Sequence, residues 1–92
     1  MRALVFSPKF ERAYRKFVKR DKALRRRIDD TLRLMKEDIF TSSLRTHKLS
    51  GELRGLFACS CGYDCRIVFL LEKEADQELV VLVDIGTHDE VY

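Results

Sequence analysis

The stretch CRIVFLLEKEADQELVVLVDI, residues 65–85, contains the two most apolar segments of the chain, with a polar segment between them. The first segment alternates as a strand does, with Cys65, Ile67, Phe69 and Leu71 on one face and Asp64, Arg66, Val68 and Leu70 on the other. The second, Glu78 to Ile85, is apolar almost throughout, which is typical of a central strand covered on part of both faces. Glu72 to Gln77 reads as a polar turn. Residues 65–85 therefore predict two antiparallel strands.

The segments on either side extend this sheet. Leu53 to Cys59 has the composition of a third strand, and Cys61-Gly62-Tyr63 is a hairpin turn that joins it to residues 65–71. Before it, Leu44 to Leu49 reads as extended chain or loop and Ser50-Gly51 as a turn. Gly86 ends the last strand and leaves an irregular tail, residues 87–92.

The N-terminal half has a different period. Met1 to Phe6 reads as a short strand, and Ser7 with Pro8 is a typical start of a helix. The apolar positions of this helix are Phe10, Ala13, Tyr14, Phe17 and Val18. Asp21 caps a second helix with the apolar stripe Leu24, Ile28, Thr31, Leu32 and Met35. The order β-α-α-β-β-β predicts one α+β domain over residues 1–92, in which a helical hairpin packs on an antiparallel sheet that the first strand is free to join.

Charge is unevenly distributed along the 92 residues, although the formal net charge is only +3. Residues 1–35 carry twelve Lys/Arg against four Asp/Glu, a net charge of +8, and residues 36–92 carry six against eleven, a net charge of −5. A basic half of this kind predicts an anionic partner, nucleic acid first. The basic run Lys19 to Arg27 has no aromatic residue among its charges, so it predicts a surface that faces phosphates or a merely solvated helix face.

Several classes of protein are excluded or disfavoured. No apolar run approaches the roughly 18 residues that a membrane helix needs, so no membrane partner is expected. Met1 to Phe6 is too short for the core of a signal peptide. The cysteines Cys59, Cys61 and Cys65 are odd in number and crowded, which is a poor disulfide framework and favours a reducing cytoplasm. We expect them to be small buried side chains on a hairpin, with a zinc site completed by a histidine as the alternative.

Three residues suggest catalysis. His47 and His88 both lie beside predicted strand ends, and histidine exchanges protons near neutral pH because its reference pKa is about 6.5. The alternative interpretation is that each histidine is an ordinary surface loop residue. Arg66 lies within an apolar strand, where its guanidinium must reach solvent, a carboxylate such as Asp64 or Asp84, or a phosphate. Such a cation can stabilise the charge of a pentavalent phosphate transition state.

These elements together resemble the RelE/ParE superfamily of toxins, and most closely its YafQ branch. The resemblance covers essentially the whole chain and rests on the element order, the basic helical hairpin and four motifs. The motifs are His47-Lys-Leu-Ser-Gly51, Leu53-Arg-Gly55, Cys65-Arg-Ile-Val-Phe69 and Ile85-Gly-Thr-His-Asp-Glu-Val-Tyr92. It implies the toxin of a type II toxin–antitoxin system, a cytoplasmic, ribosome-dependent endoribonuclease that cuts mRNA and is silenced by a bound antitoxin.

The resemblance also implies roles for individual residues, with no metal or other cofactor. Cleavage needs a base for the 2′-OH, an acid for the 5′-oxygen, a cation for the phosphorane and an aromatic ring for a splayed base. We assign His88 as the leading acid/base, His47 and Asp64 as its counterparts, Arg66 as the phosphate stabiliser and Tyr92 as the stacking group. The candidates for contact with RNA or ribosome are Lys19, Arg20, Lys22, Arg25, Arg26, Arg27, Lys48 and Arg54.

The sequence departs from the YafQ pattern at three positions: Ser60 stands for a histidine, Cys65 for a tryptophan and Asp84 for an arginine. These departures keep two alternatives open, a ParE-like toxin that inhibits DNA gyrase without cutting RNA and a catalytically decayed homologue that still binds an antitoxin. A zinc-stabilised nucleic-acid-binding module through Cys59, Cys61 and Cys65 is a third. We expect the free toxin to be monomeric and the antitoxin to cover the apolar surface beside the helices.

Overall fold

The computed structural model describes residues 2–92, and its helices and strands confirm the predicted α+β class. The elements in chain order are β1 (Ala3–Phe6), α1 (Pro8–Arg20), α2 (Lys22–Glu37), β2 (His47–Lys48), β3 (Phe57–Ser60), β4 (Arg66–Glu74), β5 (Gln77–Gly86) and α3 (His88–Val91). Two short 3-10 turns lie at Ser42–Leu44 and Gly51–Leu53. None of the helices in the described part is both long and apolar enough to span a membrane.

The strands form one sheet in the order β1-β5-β4-β3-β2, so β5 is a central strand as predicted. β1 pairs with β5 in parallel, with Val5 opposite Val81, and the other neighbours are antiparallel. The register of β4 and β5 shifts between Val68 and Phe69. A shift of this kind bends and twists a strand pair locally.

The two long helices begin where the sequence predicted. The Ser7 hydroxyl accepts a hydrogen bond from the Phe10 backbone N–H at 3.1 Å, and Pro8 occupies the first turn of α1. Asp21 ends α1 and caps α2 by accepting from the Ala23 N–H at 3.0 Å. Side chains of α1, α2 and the sheet form the hydrophobic core, which includes Phe10, Phe17, Ile28, Met35, Ile67, Phe69 and Leu82.

Two predicted boundaries are wrong, whereas the prediction of extended chain or loop over residues 44–49 agrees with the structure. The predicted strand Leu53 to Cys59 begins only at Phe57, because the chain before it forms the 3-10 turn Gly51–Leu53, closed by the Arg54 N–H donating to the Gly51 carbonyl. The segment 44–49 contains the short strand β2. The polar turn predicted over residues 72–77 shrinks to Ala75 and Asp76, because β4 and β5 continue as an exposed two-stranded ribbon whose backbone groups pair with each other.

The C-terminal tail, predicted to be irregular, contains the short helix α3. Its start is a capping box: the Thr87 hydroxyl accepts from the Glu90 N–H, and the Glu90 carboxylate accepts from the Thr87 N–H at 2.9 Å. Val91 is buried, and α3 contacts both β4 and β5. The pattern Thr87-x-x-Glu90 is the sequence signal that predicts this helix.

Candidate active site

The end of β3, the start of β4 and the end of β5 lie side by side at one end of the sheet. Ser60 at the end of β3 is opposite Arg66 at the start of β4, and Arg66 is opposite Gly86 at the end of β5. The turn 61–65 between β3 and β4 and the helix α3 therefore start from the same end. These two segments carry Asp64, His88 and Tyr92, which the sequence analysis selected as site residues.

The turn 61–65 is closed by a disulfide between Cys61 and Cys65, which the sequence analysis did not predict. Cys59 remains a free thiol, is buried, and donates to the Met35 Sδ at 3.8 Å. Burial raises the pKa of Cys59 to about 12, so this thiol stays protonated at neutral pH. Within residues 2–92 no group of three or more His, Cys, Asp or Glu side chains is arranged to hold a metal ion. The three free thiolates that the zinc alternative requires are not present together, because Cys61 and Cys65 are bonded to each other.

Asp64 connects this turn to α3. Its Oδ1 accepts a hydrogen bond from the backbone N–H of His88 at 3.0 Å. The residue has φ = +50°, in the left-handed region that aspartate visits more readily than most residues. One carboxylate oxygen of Asp64 thus has a fixed partner in the backbone that positions His88.

His88 begins α3 and Tyr92 directly follows it, and the two rings pack edge to face, with centroids 4.6 Å apart and planes at 84°. The His88 Nδ1 is 3.4 Å from the Asp89 carboxylate, an acceptor, so Nδ1 donates and Nε2 is left free. Burial raises the pKa of Tyr92, and the charge of Arg66 partly opposes this effect. Tyr92 is therefore a neutral phenol near the Arg66 guanidinium.

His47 approaches the same region from the other side. Tyr92 and His47 line one shallow cavity of about 400 Å³, together with Leu49, Ser50, Glu52 and Leu53. The His47 Nδ1 lies 3.0 Å from the Arg45 carbonyl oxygen, which can only accept, so the Nε2 of a neutral His47 carries the free lone pair. Tyr92 thus contacts the His88 ring and shares a cavity with His47, and each histidine has an uncommitted Nε2.

Arg66 forms neither of the ion pairs that the sequence left open. Its Nη1 donates to the carbonyl oxygens of Gly62 at 3.1 Å and Cys65 at 2.9 Å, both in the turn. Among residues 2–92 the ion pairs do not include Arg66. The charge of Asp84 is instead opposed by the Lys9 ammonium at 3.6 Å. The guanidinium keeps its full charge and further N–H groups for a ligand.

The basic residues selected from the sequence lie in different parts of the structure. Lys22, Arg25 and Arg26 line an open depression on α2 that also includes Asp29, Asp30 and Arg33. Lys48 and Arg54 line a different cavity, of about 610 Å³, beside β2. Arg27 lies against Gly62, where a Cβ would come within 3.2 Å of the Arg27 Cδ. The selected basic residues of residues 19–27 are exposed, and Lys48 and Arg54 lie apart from them beside β2.

The charge of Arg20 is used in contacts within the protein. Its Nη2 donates to both Glu90 carboxylate oxygens, at 3.1 and 3.2 Å, and its guanidinium stacks over the Phe17 ring at 4.9 Å. This bidentate pair ties the end of α1 to α3. The absence of a side chain at Gly86 permits the Glu90 carboxylate to lie close to the end of β5, because a Cβ on residue 86 would be 2.9 Å from the Glu90 Oε1. The sequence analysis missed Glu90 as the residue that holds α3 in place.

Comparisons with known proteins agree with this arrangement. Residues 2–92 match the family model described as the bacterial toxin of type II toxin–antitoxin system, YafQ. The fold is similar to YafQ from E. coli strain BL21(DE3), with a TM-score of 0.76 and 17% identity over 100% of this chain and 99% of that one. It is also similar to a YoeB/ParE toxin from Agrobacterium tumefaciens, with a TM-score of 0.76 and 17% identity over 94% and 98%.

Two further similar structures are toxins with their antitoxins. The toxin chain of the E. coli DinJ–YafQ complex has a TM-score of 0.76 and 18% identity over 100% of this chain and 99% of that one. That of the heterotetrameric YoeB–YefM complex from Staphylococcus aureus has 0.71 and 18% over 96% and 98%. A comparison with curated proteins gave no significant match. At these identities the structures establish the fold, and the family model establishes the family.

We predict that α3 loosens in acid. The pKa of Glu90 lies below its ordinary value, first because the Thr87 backbone N–H donates to it and then because Arg20 does. Its stabilising contribution is therefore complete above the ordinary glutamate pKa of about 4.3 and is lost as pH falls through the lower folded value. The methyl NMR signals of Val91 should shift below pH 4 in the native protein. Glu90→Gln should show no such step, and an unchanged native spectrum down to pH 2 would contradict the prediction.

Proposed function

This chain belongs to the YafQ family of bacterial type II toxins, and from that premise we propose that it is an endoribonuclease that cuts mRNA on the ribosome and so inhibits translation. The observation that carries the proposal is that Tyr92 packs on His88, lies near the Arg66 charge and shares a cavity with His47. This group lies where β3, β4 and β5 meet, which we call the catalytic edge. Ribosome-bound mRNA as substrate implies action in the cytoplasm.

The proposed reaction is attack of a ribose 2′-OH on the adjacent phosphorus. A neutral histidine takes the proton from the 2′-OH through its lone pair, and a protonated histidine donates one to the 5′-oxygen that leaves. His88 and His47 supply these two groups, with His88 as the leading acid/base. Asp64 contributes by holding the His88 backbone through its Oδ1, while its second oxygen remains a possible proton acceptor. The acid/base chemistry itself needs no metal ion.

Arg66 stabilises the charge that develops on the phosphorane. Two turn carbonyls fix its Nη1, so the guanidinium is oriented before the substrate arrives, and preorganised charge of this kind is the usual source of transition-state stabilisation. Arg66 thereby takes the role of the arginine that the YafQ branch has at the position of Asp84. Lys9 pairs with Asp84 and so reduces the repulsion between that carboxylate and a phosphate.

Tyr92 holds a nucleobase beside the reacting phosphate. It is 39% exposed and braced by the His88 ring, so it offers an aromatic surface with little freedom to lose. Stacking of a base on an aromatic ring is worth about 1–3 kcal/mol and accepts every base. Arg27 of α2, whose side chain lies against Gly62, and the pair Lys48 and Arg54 beside β2 supply charge for the RNA backbone.

The Arg25 and Arg26 side of α2 is the proposed contact with ribosomal RNA. The two arginines lie on the open depression of α2, whose lining includes none of the proposed catalytic residues, and are exposed. Neutralising phosphates with such side chains releases counterions and makes binding depend on salt. The proposed catalysis and the proposed ribosome binding thus use different side chains.

An antitoxin is the proposed protein partner, since the solved complexes of similar toxins contain one. β1 is an edge strand of the described sheet, and Val5 and Phe6 on it are about 40% exposed. Phe6 continues into an apolar groove of about 520 Å³ with Phe10, Tyr14 and Leu32. Exposed apolar residues beside a free strand edge favour a partner that adds a strand or lays a helix in the groove. We propose this surface for the antitoxin, with the free toxin a monomer.

Replacing His88 should abolish cleavage. Loss of an acid/base group lowers kcat by about 10²–10⁴-fold, so His88→Ala should leave mRNA intact in cells that express it without antitoxin. Mapping of mRNA 5′ ends measures the effect, and Asp76→Ala, in the turn at the far end of the β4–β5 ribbon, serves as the control that still cuts. Growth arrest by the native protein with mRNA intact on ribosomes would refute the nuclease and favour gyrase inhibition.

Replacing the two exposed arginines of α2 should weaken ribosome binding without altering the catalytic edge. Arg25→Ser/Arg26→Ser should lower affinity and reduce the slope of log K against log salt by about two, since each phosphate contact contributes about one. Binding to purified ribosomes across a salt series is the measurement. Lys73→Ser on the distal part of β4 should leave the slope unchanged. An unaltered slope in the double variant would remove this surface from the ribosome contact.

A charge placed in the apolar groove should block the antitoxin. Phe6→Asp should weaken the affinity for the cognate antitoxin by at least about tenfold, because an interface aromatic that acts as an anchor contributes about 2 kcal/mol or more. Phe40→Asp is the matched control, since Phe40 is also an exposed aromatic but lies outside the groove. Calorimetry on both variants decides the question: equal affinities would place the antitoxin elsewhere.

A further inference from the structure

The Cys61–Cys65 disulfide encloses part of the proposed site. The residues between the two cysteines are Gly62, Tyr63 and Asp64. Asp64 accepts the hydrogen bond from the His88 backbone, and Arg66 follows directly after Cys65. The covalent ring therefore contains or adjoins two residues to which the proposed function assigns a role.

Backbone hydrogen bonds and the disulfide hold the residues inside the ring, because burial does not: Tyr63 is 94% exposed and Asp64 is exposed. The Cys61 N–H donates to the Cys65 carbonyl at 2.9 Å, and the Cys65 N–H donates to the Gly62 carbonyl at 3.3 Å. The Ser60 hydroxyl donates to the Gly62 carbonyl at 3.2 Å and accepts from the Gly62 N–H at 3.3 Å. Asp64 also occupies the left-handed region, which aspartate adopts more readily than most residues but still less readily than glycine. The disulfide adds a covalent restraint to this turn and so limits the conformations open to it.

The same ring orients the Arg66 guanidinium. Both acceptors of its Nη1, the carbonyls of Gly62 and Cys65, belong to the ring. A rotation of either peptide group withdraws an acceptor, and a shift of the turn also separates the Asp64 carboxylate from the His88 N–H. One relaxation of the turn would therefore displace the proposed phosphate stabiliser and the proposed acid/base together.

We infer that the Cys61–Cys65 disulfide is a positioning element of the RNA-cleaving site, so that cleavage follows the thiol–disulfide state of this pair. The inference rests on the proposed function. The two cysteines touch no substrate. In the disulfide form they hold Arg66 and Asp64 in place, and in the reduced form they release the turn. Disulfides of cytosolic proteins are usually transient or redox-sensing, which agrees with a pair placed at the catalytic edge.

The oxidant that closes the pair is a low-molecular-weight disulfide such as glutathione disulfide. The thiolate of one cysteine attacks it, releases one glutathione and leaves a mixed disulfide. The thiolate of the second cysteine attacks the protein sulfur and releases the second glutathione. Two protein thiols thus lose two protons and two electrons to the two glutathione molecules. Cys61 and Cys65 are 3% and 0% exposed, so exchange in either direction requires the turn to open.

The test compares native protein oxidised with glutathione disulfide and reduced with dithiothreitol. Reduction should lower kcat for cleavage of ribosome-bound mRNA by about tenfold, because a displacement of about 1 Å in a catalytic group can cost up to 100-fold. Affinity for the ribosome should not change. Amide hydrogen exchange of His88 should become faster on reduction, because its acceptor on Asp64 is displaced, and reoxidation should restore both values.

Two variants complete the test. Cys61→Ser/Cys65→Ser should show the slow cleavage and fast His88 exchange of the reduced protein under both conditions. Cys59→Ala removes the remaining thiol and keeps the pair, so it should respond like the native protein. Thermal unfolding checks that each variant is folded, and if the double variant is not, the native protein and Cys59→Ala decide.

The exchange measurement separates the inference from the proposed function. Equal His88 exchange in oxidised and reduced native protein overturns the inference, whether or not the protein cuts RNA. If the protein cuts RNA in both states, equal kcat overturns it as well. Redox-dependent exchange without cleavage in either state would support the positioning role and contradict the nuclease.

Discussion

The antiparallel pairing of β4 with β5 is the constraint on which the candidate site depends. Its register places Arg66 opposite Gly86, and the pairing of β3 with β4 adds Ser60 to the same row. The turn that precedes β4 and the helix that follows β5 must then emerge at one edge. Asp64 and His88, 24 residues apart in sequence, come within hydrogen-bond distance as a direct result. Burial of Ile67, Phe69 and Leu82 in the core fixes this register, since a slip of one residue would turn each of them to the opposite face.

The two long helices and the central strand could be predicted from sequence because each depends on local rules. Ser7-Pro8 and Asp21 are capping signals that operate within three residues, and the apolar run of β5 identifies a buried strand without knowledge of its neighbours. The boundaries of β4 and β5 were missed because an exposed ribbon is held by its own backbone pairing, which polar side chains do not reveal.

The parts of the site that the sequence did not predict depend on contacts across the fold. A pairing of Cys61 with Cys65 cannot be chosen from three crowded cysteines without the turn geometry that brings two of them together. The arginines of residues 19–27 have similar sequence surroundings, yet Arg20 is bound to Glu90 and Arg27 lies on Gly62. Position on the helix surface separates them. The net charge of the basic half therefore overstates the number of cations free for RNA.

The most direct test of the central claim, that the catalytic edge cuts RNA by attack of the 2′-OH, is the identity of the cleaved ends. Purified protein and translating ribosomes would be incubated with end-labelled mRNA, with and without a metal chelator, and the products analysed by mass. Attack by the 2′-OH predicts a 2′,3′-cyclic phosphate on the upstream fragment and a 5′-hydroxyl on the downstream fragment, unaffected by the chelator. A 5′-phosphate with a free 3′-hydroxyl, or cleavage that the chelator abolishes, would contradict the assignment of His47, Arg66 and His88 to this chemistry.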